Sequence, residues 1–232
     1  MKLAIIPARG GSKRIPRKNI KLFFGKPMIA YSIEAAIESG CFDKIIVSTD
    51  DAEIASVAEQ YGAEVPFFRP DEISDDYATT LDVIQHALLW CQQNGYPVDM
   101  ACCIYATAPF IKPRALKDGL SLLAETGGDY VFSATSFPFP IQRALKLKAG
   151  GEVSMFHPEH LNTRSQDLEE AYHDAGQFYW GREDAFLQGK PIFAEGSRVV
   201  LLPRNEVQDI DTEEDWLNAE NLYAAMKGTA NR

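Results

Sequence analysis

The chain has 232 residues, of which 46 % are hydrophobic and 24 % charged, and it carries a net charge of −10. Such a balance predicts a globular protein built as one large domain or as a domain with an appendage. It argues against nucleic acid or an acidic membrane surface as a partner, since either requires a basic face.

The first predicted element is the apolar run Leu3-Ala4-Ile5-Ile6-Pro7, which has the composition of a buried parallel strand. Because the chain opens on this strand, no secretory leader is expected, and no apolar stretch reaches membrane-spanning length. The loop Ala8-Arg9-Gly10-Gly11-Ser12-Lys13-Arg14-Ile15-Pro16-Arg17-Lys18-Asn19 follows, with five cations between Arg9 and Lys18. Glycines let the backbone approach a ligand, loop N–H groups can form a concavity for anions, and clustered cations match a triphosphate. Neither G-x-G-x-x-G nor G-x-x-x-x-G-K-[ST] is present, which excludes the dinucleotide fingerprint and the P-loop. Taken alone, such a loop is as readily a solvated turn.

Residues 28–39 carry Ile29, Ile33, Ala36 and Ile37 at helical spacing, residues 44–48 read as a strand, and residues 51–60 read as a helix with acids at its start. A short strand is expected over 64–68. Residues 79–93 place Val83, Ile84, Ala87, Leu88 and Cys91 on one helical face; 100–105 is a buried strand, 113–125 a helix opened by proline, and 130–134 a strand. This alternation predicts a parallel sheet flanked by helices. It breaks down over 137–174, where prolines and a turn at Gly150-Gly151 predict an inserted subdomain within a single domain spanning 1–232. Phe139, Leu145, Leu147, Met155 and Phe156 are its candidates for burial. Strands over 177–180 and 199–202 and a closing helix over 213–226 complete the pattern. Cys41, Cys91, Cys102 and Cys103 show no metal-like spacing and suit buried thiols in a reducing cytoplasm. His157 and His160 lack a further ligand at metal spacing and read as ordinary loop histidines.

Near the end stands Gln208-Asp209-Ile210-Asp211-Thr212-Glu213-Glu214-Asp215. On extended backbone Asp209 and Asp211 project to the same side, and paired carboxylates suit Mg²⁺, which takes one or two of them plus phosphate oxygens and water. Thr212 to Asp215 also reads as a helix cap, and the two readings are compatible. A cationic loop at one end of the chain and an acidic pair at the other can converge on one nucleotide triphosphate and its metal. Two middle segments, 69–80 and 105–110, read on physical grounds as polar loops, the second leaving a strand where an open α/β sheet forms its pocket.

The run Ile6-Pro7-Ala8-Arg9-Gly10-Gly11-Ser12-Lys13 with Lys18-Asn19, then Val47-Ser48-Thr49-Asp50, Arg69-Pro70 with Thr79-Thr80, and Asp209-Ile210-Asp211-Thr212 together resemble the acylneuraminate cytidylyltransferase family, in family order and over nearly the whole chain. The resemblance implies an α/β, Rossmann-like, mostly parallel sheet of the nucleotide-diphospho-sugar transferase type, with residues 137–174 as a small dimerisation subdomain and a cytoplasmic homodimer as the working form. It implies CTP and a nonulosonic acid as substrates, with CMP-sugar and pyrophosphate as products. Carried over position by position, Arg9, Gly10, Gly11, Ser12, Lys13, Lys18 and Asn19 would hold the phosphates and ribose. Arg69 and Thr80 would read the cytosine, Thr79 would be a further nucleotide-binding residue, and Asp209 and Asp211 would bind magnesium. Arg9, Lys13, Asp209 and Asp211 would carry catalysis. Tyr105, Thr107, Arg164 and Gln166 would meet the sugar. Sialate-specific members have glutamine where this chain has Tyr105, and the version Tyr105-Ala106-Thr107-Ala108-Pro109-Phe110 resembles the members that use pseudaminic acid. The rival readings are a cytidylyltransferase for legionaminate, N-acetylneuraminate or 3-deoxy-manno-octulosonate, and a non-catalytic nucleotide-binding module on the same fold.

Overall fold

Leu3 and Ile5 face one apolar cluster and Ala4 and Ile6 another, all fully buried, so the first strand, β1 (Lys2–Pro7), is covered on both faces and lies inside the sheet. In the computed structural model of the chain, which describes residues 1–75 and 77–230, a small ribbon of β2 (Leu22–Phe23) and β3 (Lys26–Pro27) follows, and then helix α1 (Met28–Ser39). Strand β4 (Lys44–Ser48), helix α2 (Ala52–Gln60), helix α3 (Thr80–Gln93), strand β5 (Met100–Ile104), helix α4 (Pro113–Thr126) and strand β6 (Tyr130–Ser136) continue the alternation. The chain then runs out into an arm bearing a ribbon of β7 (Leu145–Leu147) and β8 (Val153–Met155). It returns as β9 (Tyr172–Arg182), followed by a short helix α5 (Glu183–Leu187), strand β10 (Ser197–Leu201) and the closing helix α6 (Glu213–Ala230).

The main sheet has six strands in the order β10-β6-β9-β5-β1-β4. Pairs β1/β4, β1/β5 and β6/β10 are parallel, but β9 is antiparallel to both β5 and β6. The physical reason lies in the connection: β9 enters from the arm that leaves β6, without the crossover helix that a parallel return would require. The sheet is therefore mixed but mostly parallel.

Two local expectations are corrected. Residues 64–68 form no strand; the segment touches β4 and its extension through the single bridges Ile46–Glu64 and Thr49–Phe68. Pro66 lies between them and has no N–H to give a ladder. In the arm, the apolar side chains expected to be buried are not: Phe139 is 80 % and Leu147 77 % exposed, Leu145 and Phe156 are also exposed, and Met155 is only half-buried. A ribbon of two three-residue strands is a single layer too small to bury them by itself.

Helix starts follow local chemistry. The Asp51 carboxylate accepts from the N–H groups of Glu53 and Ile54 at the head of α2, and Thr79 and Asp82 form a reciprocal capping box on α3. The same arrangement joins Thr212 and Asp215 at α6. Among the described residues no helix is long and apolar enough to cross a membrane.

A third apolar cluster, separate from those on the two faces of the sheet, contains Ile15, Phe23, Met28, Phe110, Ile210, Trp216 and Ala219. Ile15 comes from the cationic loop and Ile210 stands between the two aspartates, and both are fully buried. Burial of these two side chains draws opposite ends of the chain together. Close packing governs the centre of the sheet as well. A β-carbon at Gly181 would stand 2.5 Å from the Phe186 ring and 2.6 Å from the Tyr130 ring. Gly181→Ala is expected to cost about 1–3 kcal/mol by overpacking, read as a lowered midpoint in thermal melting; an unchanged midpoint would mean these rings shift freely.

Candidate active site

The carboxyl ends of β1 and β5 open onto a cleft of about 670 Å³, within the range of small-molecule sites. The cationic loop forms one wall, with Arg9, Ser12, Lys13, Arg14, Lys18 and Asn19. Residues from the 69–80 segment form another, with Arg69, Thr79 and Thr80, and the end of β5 supplies Tyr105 and Thr107. Asp211 closes the cleft from the far end of the sequence. Among the described lining residues five are cations, Arg9, Lys13, Arg14, Lys18 and Arg69, against the two acids Asp75 and Asp211. In a protein of net charge −10, that concentration makes the cleft an anion site.

Several contacts fix the shape of the loop. The Gly10 N–H donates to Asp50 Oδ1 at 2.8 Å, and a β-carbon on Gly10 would lie 2.7 Å from Asp51 Oδ2. Gly10 thus serves close approach to the end of β4, with its N–H already engaged, and Gly11 stands in open space beside it. Neither glycine lines the described cleft. Arg17 takes a left-handed backbone (φ 56°) that a side chain rarely adopts. It is held there by hydrogen bonds from its guanidinium to Asp51 and to Glu53 at 2.5 Å. Arg17 in turn pulls the Asp51 carboxyl down to about 2. Asn19, almost fully buried, donates its amide to the Arg9 carbonyl at 2.9 Å and ties the two ends of the loop together.

Arg69 is 6 % exposed, with Nη2 donating to the Ser48 carbonyl at 2.5 Å. Burial lowers its pKa, partly offset by Asp50. Its Nε is buried without a hydrogen-bond partner among the described residues, and Arg69 is one of the residues lining the cleft. Thr80 Oγ1 lies 3.4 Å from Tyr105 Oη, joining the 69–80 segment to the end of β5. The Tyr105 ring packs on Tyr179 at 5.3 Å between centroids, and the Tyr179 hydroxyl donates to Asp174. Burial raises both phenols, so both stay protonated and act as neutral hydrogen-bonding groups. Behind this pair lies a second pocket of about 380 Å³, lined by Phe132, Ala134, Tyr172, Asp174, Phe193 and Val199.

The Lys18 ammonium donates to the Ile210 carbonyl at 2.5 Å and lies 3.3 Å from Asp211 Oδ1, while Arg14 pairs with Asp211 Oδ2 at 2.8 Å. The Asp209–Asp211 stretch is irregular rather than a strand. Asp211 lines the cleft and Asp209 stands outside its described lining. Partial desolvation raises the Asp209 carboxyl, and Asp211 raises it further. Asp211 on the cleft and Asp209 two residues before it are the carboxylates that could hold a hard divalent ion, which takes one or two of them and completes its shell with phosphate and water. No group of three or more potential protein ligands occurs among the described residues.

Arg164 and Gln166 are not brought to this cleft. They sit on the arm, where Arg164 pairs with Asp167 at 2.7 Å, exposed. Sequence reasoning gave no role to Arg14, Asp50 or Asp51. Arg14 was visible only as one of five loop cations, and nothing local marked the two aspartates as anchors for a loop forty residues away.

The chain matches the family described as Cytidylyltransferase over residues 3–213. It is 50 % identical over 221 residues to the pseudaminic acid cytidylyltransferase of Campylobacter jejuni, covering 95 % of each chain. It is 34 % identical to the CMP-N,N'-diacetyllegionaminic acid synthase of Legionella pneumophila, again over 95 % of each. In three dimensions it resembles a CMP:2-keto-3-deoxy-manno-octonic acid synthetase solved with CTP, at a TM-score of 0.70 and 16 % identity, covering 97 % of this chain and 99 % of that one. The last likeness establishes the nucleotidyltransferase fold. With a cationic loop and an acidic segment meeting in one cleft, and with relatives at half identity along nearly its whole length, the chain belongs to the cytidylyltransferase family.

Proposed function

We propose that this protein transfers CMP from CTP to a nonulosonic acid, pseudaminic acid before others, releasing pyrophosphate. The observation that carries the reading is the meeting of Lys18 and Asp211 in a cleft whose other cations are Arg9, Lys13, Arg14 and Arg69. In the reaction the anomeric hydroxyl of the sugar forms a bond to the α-phosphorus as the bond to the β-phosphate breaks. Such transfer needs positioning and charge stabilisation more than covalent help. Arg9 and Lys13 offset charge on the departing pyrophosphate, and Ser12 and Lys18 keep the phosphates seated along the loop. Arg69 meets the base, beside Thr79 and Thr80, all three on the cleft wall. Asp209 and Asp211 are the residues that would hold magnesium, which when bound polarises the phosphate under attack.

The sugar is assigned to the Tyr105 side of the cleft, with Thr107 beside it. Tyr105 presents one hydroxyl and a flat ring where an amide would favour a hydroxyl-rich substrate. The second pocket, with Phe132, Phe193 and Val199 on its walls and Asp174 as an acceptor, suits acylamino methyl groups and their N–H. Tyr105→Gln is expected to narrow the preference for pseudaminate over N-acetylneuraminate, read as the ratio of kcat/KM values; an unchanged ratio would remove Tyr105 from sugar choice.

A cytoplasmic homodimer is proposed as the working form. The four cysteines are buried and unpaired, as suits a reducing compartment. The arm exposes Phe139, Leu145, Leu147, Val153, Phe156 and Leu161 together, more apolar surface than a lone ribbon leaves uncovered. A second copy covering the arm would also bring Arg164 and Gln166 near a cleft they do not reach in their own chain. Light scattering is expected to give twice the 25.8 kDa chain mass; a species of one chain mass at assay concentration would contradict it.

A further inference from the structure

Asp211 is covered before any ligand arrives. Arg14 Nη2 stands 2.8 Å from one carboxylate oxygen and Lys18 Nζ 3.3 Å from the other. These are the oxygens that a divalent ion would need, so at least one cation must leave for an ion to enter. The two are held differently. The Lys18 side chain is 17 % exposed and also donates to the Ile210 carbonyl, so it is built into the wall. The Arg14 side chain is 64 % exposed, and Asp211 is its ion-pair partner among the described residues. An exposed pair of this kind is held weakly and costs a long side chain its freedom. Arg14 is therefore the member that can be drawn away.

The direction in which it would move is also visible. Arg14 lines the same cleft as Arg9, Ser12 and Lys13, and a planar guanidinium binds phosphate oxygens in a bidentate fork better than it holds one exposed carboxylate. On the reading of the cleft as a triphosphate site, on which this step rests, we propose that Arg14 is a further polyphosphate ligand that shields Asp211 in the empty protein and passes to the phosphates when CTP binds. Its departure opens the carboxylate to the metal. Nucleotide and metal then favour each other's binding through one side chain, and the coupling runs equally in both directions. The neighbouring Asp215, which feels the charge of Arg14, stays committed to the α6 cap throughout.

The test uses two equilibrium measurements that need no turnover. Mn²⁺ binding to the nucleotide-free protein is followed by electron paramagnetic resonance, and CTP binding is measured by calorimetry in the presence of a chelator. Arg14→Ala is expected to bind Mn²⁺ about two- to fivefold more tightly, as loss of an exposed ion pair allows. It should bind metal-free CTP roughly tenfold more weakly, as loss of a charged hydrogen-bond partner does. Lys21→Ala, which removes a nearby cation paired with Glu213 instead, should change neither. Arg14→Lys should keep part of the shielding and lose part of the CTP affinity. Wild-type values in both measurements for Arg14→Ala would overturn the proposal, as would an equal tightening of Mn²⁺ in Lys21→Ala. Failure of the wild type itself to bind CTP would instead overturn the reading of the cleft, and the proposal with it.

Discussion

Replacing Asp211 by alanine is expected to lower kcat by on the order of a hundredfold or more, the scale on which loss of preorganised transition-state charge is felt. Asp209→Ala should do the same. Asp209 is raised by partial desolvation and by the charge of Asp211, so a cation held at this pair would relieve that cost. The substitutions should leave the fold intact. It is the Asp211 backbone N–H, not its side chain, that meets Asp215 at the α6 cap, and Ile210 stays in the apolar cluster. The ion pairs lost with the Asp211 side chain involve a 42 % exposed carboxylate and contribute little to stability. Rates are compared at saturating CTP, sugar and magnesium, with a magnesium titration for each variant. Near-wild-type kcat in both variants would remove the acidic pair from the mechanism and with it the case for magnesium.

Arg9→Ala and Lys13→Ala are expected to lower kcat/KM for CTP by roughly ten- to a hundredfold each, the range for a charged hydrogen bond to a phosphate. Arg9 Nη1 donates to the Asp75 carbonyl at 2.8 Å on the exposed rim of the cleft. Losing that bond releases a carbonyl to water, so its effect on stability is small. The shape of the loop depends on other contacts, Asn19 to the Arg9 carbonyl, Gly10 to Asp50 and Arg17 to Asp51. Circular dichroism and thermal midpoints should therefore match the parent. A cooperative loss of structure in either variant would assign these cations to the scaffold instead of the substrate.

The parts of the molecule legible in the sequence are those written in local periodicity. Apolar runs gave β1, β4, β5 and β6, and helical spacing with capping residues gave α1 to α4 almost to the residue. The antiparallel setting of β9 was not legible, because strand direction depends on where the arm returns the chain. Nor was the exposure of Phe139 and Leu147, since an apolar residue in sequence looks the same whether its cover comes from its own chain or elsewhere. The convergence of Arg9–Lys18 with Asp209–Asp211 could be read from charge and motif order. What accomplishes it, the burial of Ile15 and Ile210 in one cluster, is a tertiary fact. Arg14 shows the limit most clearly: five cations in one loop look alike in sequence, and only their depth and partners separate Lys18, fixed to a carbonyl, from Arg14, held by one exposed carboxylate.

The most direct measurement is pyrophosphate release by the wild-type protein with CTP and magnesium against pseudaminic, N,N'-diacetyllegionaminic and N-acetylneuraminic acids. The expected result is release with all parts present, none without magnesium, and kcat/KM for pseudaminate above that for N-acetylneuraminate by at least about tenfold, as an apolar pocket discriminates by roughly ten- to two-hundredfold. CTP binding without pyrophosphate release for any of the three would make the protein a nucleotide-binding module. Equal kcat/KM for pseudaminate and N-acetylneuraminate would contradict the assignment of Tyr105 and the pocket behind it.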